Sequence, residues 1–129
     1  MGSDGDEFQG GAVNNQIWAG NGHDRLYGNG GNDTLDGGPG DDLLHGGKGD
    51  DLLHGGKGDD LLYGGNGADT FVLAPGMGQD TISDFERTDY IQLEGGLSFT
   101  SLEITSMRDD HDFTFTFIRD NGERAIRLA

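Results

Sequence analysis

The sequence has no cysteine, only two prolines, and few hydrophobic residues for its length of 129. Without cysteine, neither a disulfide framework nor a thiolate metal site is available. Hydrophobic residues make up 32% of the chain, and no apolar run is long enough to span a membrane. The opening letters MGSDGDEFQGG contain no signal-peptide hydrophobic region, so any export is expected to use another route.

Basic residues are also scarce, because 8 Lys and Arg stand against 24 Asp and Glu, for a formal net charge of −16. Binding to a phosphate backbone requires a basic surface, so nucleic acid is excluded as a partner. Two interpretations of the composition remain. The chain is either a disordered acidic linker or a protein whose charge is neutralised by something it binds.

What the sequence does contain is a nine-residue repeat. From residue 19 to 72 it reads AGNGHDRLY, GNGGNDTLD, GGPGDDLLH, GGKGDDLLH, GGKGDDLLY and GGNGADTFV. Position four is always Gly and position six is always Asp. Position eight is always apolar and is occupied by Leu26, Leu35, Leu44, Leu53, Leu62 and Phe71. A linker would not keep this register, so an ordered repeat architecture is predicted.

The repeat continues in both directions with less regular sequence. In the preceding nine residues, Asn15 stands at the Asp position and Val13 at the glycine position. Downstream, a two-residue insertion, Leu73 and Ala74, precedes PGMGQDTIS and DFERTDYIQ. The repeat domain is therefore expected to cover residues 1–92, with degenerate ends in place of caps.

The letters of each repeat predict one short strand and one loop. Three residues centred on position eight suffice for a strand with one inward side chain, and the glycines allow positive φ in the remaining six. Two repeats then form a turn of 18 residues with one strand in each of two sheets. An all-β parallel β-roll is predicted, with inward leucines stacked in two columns.

The pattern GGxGxDxUx, in which U is apolar, resembles the repeats of the RTX (repeats-in-toxin) family. Serralysin-type proteases, secreted lipases and the R-modules of alginate epimerases carry such repeats. The resemblance implies a right-handed parallel β-roll with Ca²⁺ between successive loops. It also implies export by type I secretion machinery as part of a parent protein, an extracellular location, and folding that starts from a C-terminal cap.

The aspartates are the predicted metal ligands. Stacked turns bring carboxylates of neighbouring loops together, where they repel unless a hard, oxygen-seeking cation such as Ca²⁺ lies between them. Residues 18 apart, or 20 across the insertion, should share ions, and the predicted pairs are Asp24/Asp42, Asp42/Asp60, Asp60/Asp80, Asp33/Asp51, Asp51/Asp69 and Asp69/Asp89. Loop carbonyls should complete each shell, and the candidates are Gly20, Gly22, Gly38, Gly40, Gly47, Gly49, Gly56, Gly58, Gly65 and Gly67. About six ions would leave a net charge of about −4.

Several side chains leave alternatives open. The position-five acids, Asp41, Asp50 and Asp59, could offer a carboxylate or only a backbone carbonyl. His45 and His54 are nine apart, so the roll places them on opposite sheets and they cannot chelate one ion. Leu43 and Leu61 should be outward neighbours with Tyr63 nearby, forming either a lateral contact or simply exposed leucines.

Two further expectations concern function. HExxH, GxSxG, Walker and Rossmann motifs are all absent, so no enzymatic activity is predicted. The alternative to a calcium-dependent folding and secretion module is a Ca²⁺-stabilised module that binds an acidic polysaccharide. Its candidate contacts are Arg25, Tyr27 and Tyr63. A monomer is expected.

The period ends after residue 93. The segments SLEITSM (101–107) and DFTFTFIR (112–119) alternate apolar and polar residues as half-buried strands do, with Phe113, Phe115 and Phe117 on one face. DNGE (120–123) predicts a hairpin turn that leads into RAIRL. Residues 93–129 are therefore predicted to form a β-strand cap that covers the open edge of the roll.

Overall fold

The computed structural model describes residues 4–74, 78, 80–94, 103–104, 116–118 and 124–128. All regular elements in these ranges are β-strands, and the same ranges hold no helix able to cross a membrane. The strands are β1 (Glu7–Gln9), β2 (Gln16–Trp18), β3 (Arg25–Gly30), β4 (Thr34–Asp36), β5 (Leu43–Lys48), β6 (Leu52–His54), β7 (Leu61–Asn66), β8 (Thr70–Leu73), β9 (Asp80–Ile82), β10 (Tyr90–Leu93), β11 (Glu103–Ile104), β12 (Thr116–Ile118) and β13 (Arg124–Leu128).

Successive strands alternate between two parallel sheets. The order is β1-β3-β5-β7-β9 in one sheet, which β13, β12 and β11 extend, and β10-β8-β6-β4-β2 in the other. Leu26 pairs with Leu44 and Leu35 with Leu53, an offset of 18 in each sheet. Across the insertion, the offset becomes 20, as Leu62 pairs with Ile82. The predicted all-β roll of two nonapeptides per turn is confirmed.

The core consists of two columns of inward side chains. Every position-eight residue from Leu26 to Phe71 is fully buried, and Ile82 continues one column beyond the insertion. Phe8, Ile17 and Ile91 extend the columns with partly buried side chains. Each turn therefore adds only two large apolar side chains to the core, so the interior is thin.

The outer faces carry the pairs expected from the repeat. Leu43 lies beside Leu61, while His45 and His54 lie in different sheets. His45 stands between Tyr27 and Tyr63, with ring centroids 6.3 and 5.7 Å apart. This aromatic column follows the roll axis on the eight-stranded sheet.

The C-terminal strands extend one edge of the eight-stranded sheet. β13 pairs in parallel with β9, β12 pairs antiparallel with β13, and β11 pairs antiparallel with β12. C-terminal strands are therefore present at this edge, with β12 and β13 paired as the predicted last hairpin requires, and the extent of the cap over residues 93–129 stays a prediction. The turn at 120–123 and the residues Phe113 and Phe115 lie outside the described ranges.

Candidate metal centre

The structure brings every predicted aspartate pair together. In each pair, the backbone N–H of the first residue donates to Oδ1 of the second. On one edge these distances are 2.7 Å for Asp24/Asp42, 2.8 Å for Asp42/Asp60 and 3.0 Å for Asp60/Asp80. On the other edge they are 2.8 Å for Asp33/Asp51, 2.9 Å for Asp51/Asp69 and 2.9 Å for Asp69/Asp89. The aspartates thus form two columns, one along each edge of the roll.

The second carboxylate oxygen of these residues is buried without a partner. Asp69 and Asp80 are 0% exposed, and the other column members are almost as deeply buried. Oδ2 accepts no hydrogen bond in seven of them, which are Asp24, Asp33, Asp42, Asp51, Asp60, Asp69 and Asp80. Burying an unpaired charged oxygen is strongly unfavourable. Both columns therefore require a compensating positive charge.

The same burial shifts the acidity of the columns. Burial raises the pKa of Asp42 and Asp51 to about 6, and neighbouring carboxylates add to the increase. It raises the pKa of Asp60 and Asp69 to about 7. For Asp80, burial and then the charge on Asp60 raise the pKa to about 9. Without a counter-ion, burial thus penalises the charged form of these carboxylates relative to an exposed aspartate.

The predicted loop glycines direct their carbonyls toward the next turn. Gly38 and Gly40 have φ values of 87° and 132°, and all ten glycines that are predicted to supply carbonyl ligands have positive φ. A methyl group on Gly38 would collide with the carbonyl oxygen of Gly20, and one on Gly40 with that of Gly22. The same contact recurs along both edges. Glycine is required here because the carbonyls of one loop approach the backbone of the next.

A further set of carbonyls, which the sequence did not single out, enters the same gaps. The Cβ position of Gly28 is in contact with Oδ2 of Asp33 and lies 2.6 Å from the carbonyl oxygen of Gly46 in the next turn. Gly46 shows the same relation to Asp51 and Gly64. Position one thus adds a carbonyl beside each unpartnered carboxylate oxygen. The available signal was glycine at position one in every core repeat except the first.

The position-five side chains link neighbouring loops by hydrogen bonds. Asp41 Oδ1 accepts the N–H of Asp59, and Asp50 Oδ1 accepts the N–H of Ala68, both at 2.8 Å. These bonds run in the opposite direction to the column, where the later residue is the acceptor. The structure therefore gives these acids a role in stacking the loops.

The last gap differs from the others. The Gly67 carbonyl, a predicted ligand, accepts a hydrogen bond from Thr88 Oγ1 at 3.1 Å. Asp89 Oδ2 accepts the N–H of Glu86 at 2.7 Å, so Asp89 is the one column member of residues 24–89 with both oxygens bonded. The loop after the insertion thus satisfies more of its own polar groups.

Taken together, the gaps between the core turns offer carboxylate oxygens from two aspartates and carbonyls from positions one, two and four. Within the described ranges, no three His, Cys, Asp or Glu side chains converge on a metal site, so a calcium ion held here would need backbone carbonyls among its ligands. Ca²⁺ accepts six to eight oxygens in flexible geometry, whereas Mg²⁺ demands a tight octahedron. The residues present fit calcium.

Comparisons with known proteins agree with this geometry. The family model of the RTX calcium-binding nonapeptide repeat matches residues 2–35 and 36–71. A comparison of the sequence with curated proteins gives no match.

Two solved structures are similar to the chain. The solution structure of the AlgE6R3 subunit from the Azotobacter vinelandii mannuronan C5-epimerase has 30% identity and a TM-score of 0.52, over 99% of this chain and 72% of that chain. The extracellular lipase LipA from Serratia marcescens has 23% identity and a TM-score of 0.41, over 92% of this chain and 18% of the lipase. With the match of the family model over more than half of its length, the chain belongs to the family of RTX calcium-binding nonapeptide repeat proteins.

Proposed function

We propose that the chain is a calcium-dependent folding module. The observation that carries this proposal is the pair of aspartate columns, in which seven buried Oδ2 atoms lack a partner. In calcium-free solution these carboxylates repel one another and disfavour the stacked turns. Bound calcium would supply the positive charge that the columns lack. The loop residues of neighbouring turns would then hold it through the carboxylates and through carbonyls such as those of Gly38 and Gly40.

The finer assignments follow from this role. Residues 1–92 form the calcium-binding roll, with about six ions, and residues 93–129 form its cap. The module has no catalytic activity of its own, acts as a monomer, and serves in a larger protein that type I machinery exports. At low intracellular calcium the chain stays unfolded. Outside the cell, sites with affinities of about 10⁻⁴–10⁻³ M fill, and binding is coupled to folding.

Far-UV circular dichroism during a calcium titration tests the proposal, with Mg²⁺ as the control. A cooperative change from coil to strand with Ca²⁺ alone is the expected result. A full strand signal in chelator would mean that the leucine core and cap suffice, and calcium would then not control folding.

A second candidate is binding of an acidic polysaccharide, favoured by a groove beside the aromatic column. It is lined by Asn29, Gly30, His45, Gly47, Lys48, Gly65 and Asn66. Three of the lining residues are glycines, and Lys48 is the one Lys or Arg among them. The similar epimerase subunit comes from an enzyme that acts on mannuronan, an acidic polymer.

The geometry of the rings limits how such a polymer would bind. The His45 ring stacks against Tyr63 at an interplanar angle of 26° and is tilted by 33° from Tyr27, so part of its surface lies against the neighbouring rings. Lys48 and the amides of Asn29 and Asn66 would then supply most of the contacts.

Titration of the calcium-loaded protein with polymannuronate tests this candidate. Lys48→Ala should weaken binding, while Lys57→Ala, the same repeat position on the other edge, should not. Equal affinity of both variants and the wild type would reject the groove.

A further inference from the structure

The ladder between the last two turns of the eight-stranded sheet is shorter than the preceding ones. β5 and β7 pair from Leu43 and Leu61 through Lys48 and Asn66, so the backbone beyond position nine takes part. β7 and β9 pair only at residues 61–62 with 81–82. After Ser83 the chain enters the degenerate repeat DFERTDYIQ and leaves the ladder before it reaches Gly64. The N–H groups of Gly64 and Gly65 therefore need acceptors from elsewhere.

The Asp84 carboxylate supplies those acceptors. Gly64 N–H donates to Oδ1 and Gly65 N–H donates to Oδ2, each at 2.8 Å. Asp84 occupies position one of its nonapeptide, which is glycine in the core repeats after the first. Two consecutive N–H groups form a small anion-binding concavity, and a charged acceptor makes such bonds stronger than a neutral carbonyl does.

Holding these N–H groups also orients carbonyls that face the candidate calcium gaps. In a planar trans peptide, the N–H of Gly65 and the carbonyl of Gly64 point in opposite directions. The Gly64 carbonyl oxygen lies 2.6 Å from the Cβ position of Gly46, beside Oδ2 of Asp51. The hydrogen bond from Gly65 N–H to the Asp84 carboxylate thus directs the Gly64 carbonyl into the gap between Asp51 and Asp69.

We propose that Asp84 is a positioning residue for the calcium sites on the Asp51–Asp69 edge. Its carboxylate replaces the backbone acceptors that the shortened ladder lacks, and it holds the Gly64–Gly65 peptide in place for the ion. It acts on the ligands and is not itself one of them. The inference rests on the proposed calcium binding. Outer residues that orient metal ligands typically change affinity by about 10–100-fold when removed.

Amide hydrogen exchange followed by NMR at a calcium concentration well above the folding midpoint resolves the two edges within one folded molecule. Asp69 reports the edge that Asp84 supports, and Asp60 reports the opposite edge. In Asp84→Ala, protection from exchange at Asp69 should fall by about tenfold, with a smaller fall at Asp60. Asp84→Asn retains one oxygen acceptor, so its protection at Asp69 should lie between those of the wild type and Asp84→Ala. Glu86→Gln, with the same loss of charge at an exposed position of the same loop, should behave as the wild type.

The outcomes separate this inference from the proposed function. If the wild type shows no calcium-dependent change at either residue, calcium binding itself fails. If calcium protects the wild type as expected, unchanged protection at Asp69 in Asp84→Ala rejects the positioning role alone. Equal losses of protection at Asp60 and Asp69 would also reject it, because a general loss of stability affects both edges together. Should Asp84→Ala fail to fold, Asp84→Asn provides the same comparison.

Discussion

The leucine columns and the aspartate columns share one period and one strand–loop unit, but they differ in completeness. The leucines from Leu26 to Leu62 are fully buried against one another and need nothing outside the chain. The aspartates beside them are just as buried, yet each retains an oxygen without a donor. One half of the repeat thus favours folding in any buffer, and the other half opposes folding until it is neutralised.

This difference shows how one fold combines stability with dependence on its surroundings. Each turn adds only two core side chains, which is little to offset the entropy of ordering 18 residues. The burial of carboxylates removes part of that gain. A thin core and a costly edge together make the folded state depend on calcium, whereas a thicker core would fold regardless.

The largest expected effect follows from removing one carboxylate shared by two gaps. Asp51→Ala should raise the calcium midpoint of folding by at least about tenfold, because the residue faces both Asp33 and Asp69. Asp50→Ala is the matched control, since it removes one charge and a single hydrogen bond to Ala68. Circular dichroism measures both midpoints. Equal shifts would mean that net charge, and not the position of the carboxylate, sets the calcium requirement.

The leucine columns should respond in a different quantity. Leu53 is 0% exposed, so Leu53→Ala should lower the free energy of unfolding by about 2–5 kcal/mol at saturating calcium. Leu52→Ala, on the half-buried outer face, should cost about 1 kcal/mol or less. Urea unfolding monitored by circular dichroism gives both values. A larger loss of unfolding free energy in Leu52→Ala than in Leu53→Ala would indicate that the outer face is covered in solution.

Acid should affect calcium-free and calcium-loaded protein in opposite directions. The folded-state pKa values of Asp42, Asp60 and Asp80, about 6, 7 and 9, exceed the ordinary 3.8. Between pH 3.8 and these raised pKa values, the folded chain binds more protons than the unfolded chain. The stability of the calcium-free protein therefore falls as pH rises through this range. In chelator, the strand signal should be greater at pH 5 than at pH 8.

With calcium present, protons compete with the ion for the same oxygens. The calcium midpoint should therefore be higher at pH 5 than at pH 8. Titrations at both pH values measure it, and a midpoint independent of pH would contradict ligation by these aspartates.

The smallest expected effect lies on the outer face of the five-stranded sheet. His54 Nδ1 lies 3.5 Å from Asp36 Oδ1, and this carboxylate raises the pKa of His54. The stabilisation from this ion pair is fully present at pH values below the ordinary pKa of histidine, and it is lost as the pH rises through the raised pKa of His54. Because both side chains are one-third exposed, Asp36→Asn should cost less than about 1 kcal/mol, and only at acidic pH. Urea unfolding at pH 5.5 and pH 8 checks this, and an equal loss at both values would point to packing.

The periodic part of the fold was predictable because the period itself fixes the register. Once Asp24 and Asp42 are 18 apart in a two-sheet roll, their adjacency follows, and the two-residue insertion simply moves Asp80 and Asp89 to an offset of 20. The sequence cannot show whether these residues bind calcium. It predicts only that their oxygens meet, and that ligation remains a prediction.

The features that the sequence left out depend on deviations from the repeat or on contacts between side chains. Asp84 lies in a degenerate repeat, and its proposed role depends on the ladder that ends where this repeat begins. The stacking of His45 between two tyrosines depends on side-chain rotamers, which letters do not encode. The sequence did not indicate the position-one carbonyls as ligands, because a glycine at this position is also explained by its role as a turn residue.

The alternation of strands between two sheets gives the array a parity. Each nonapeptide carries the chain from one sheet to the other, so the number of repeats before β9 decides which sheet receives it and, with it, β13. Loss or gain of a single repeat would move Asp80–Ile82 to the five-stranded side and leave the C-terminal strands facing the wrong edge. Loss or gain of two would change nothing but length. Insertion or deletion of a full turn is therefore expected to preserve the pairing of β9 with β13, whereas insertion or deletion of one nonapeptide is not.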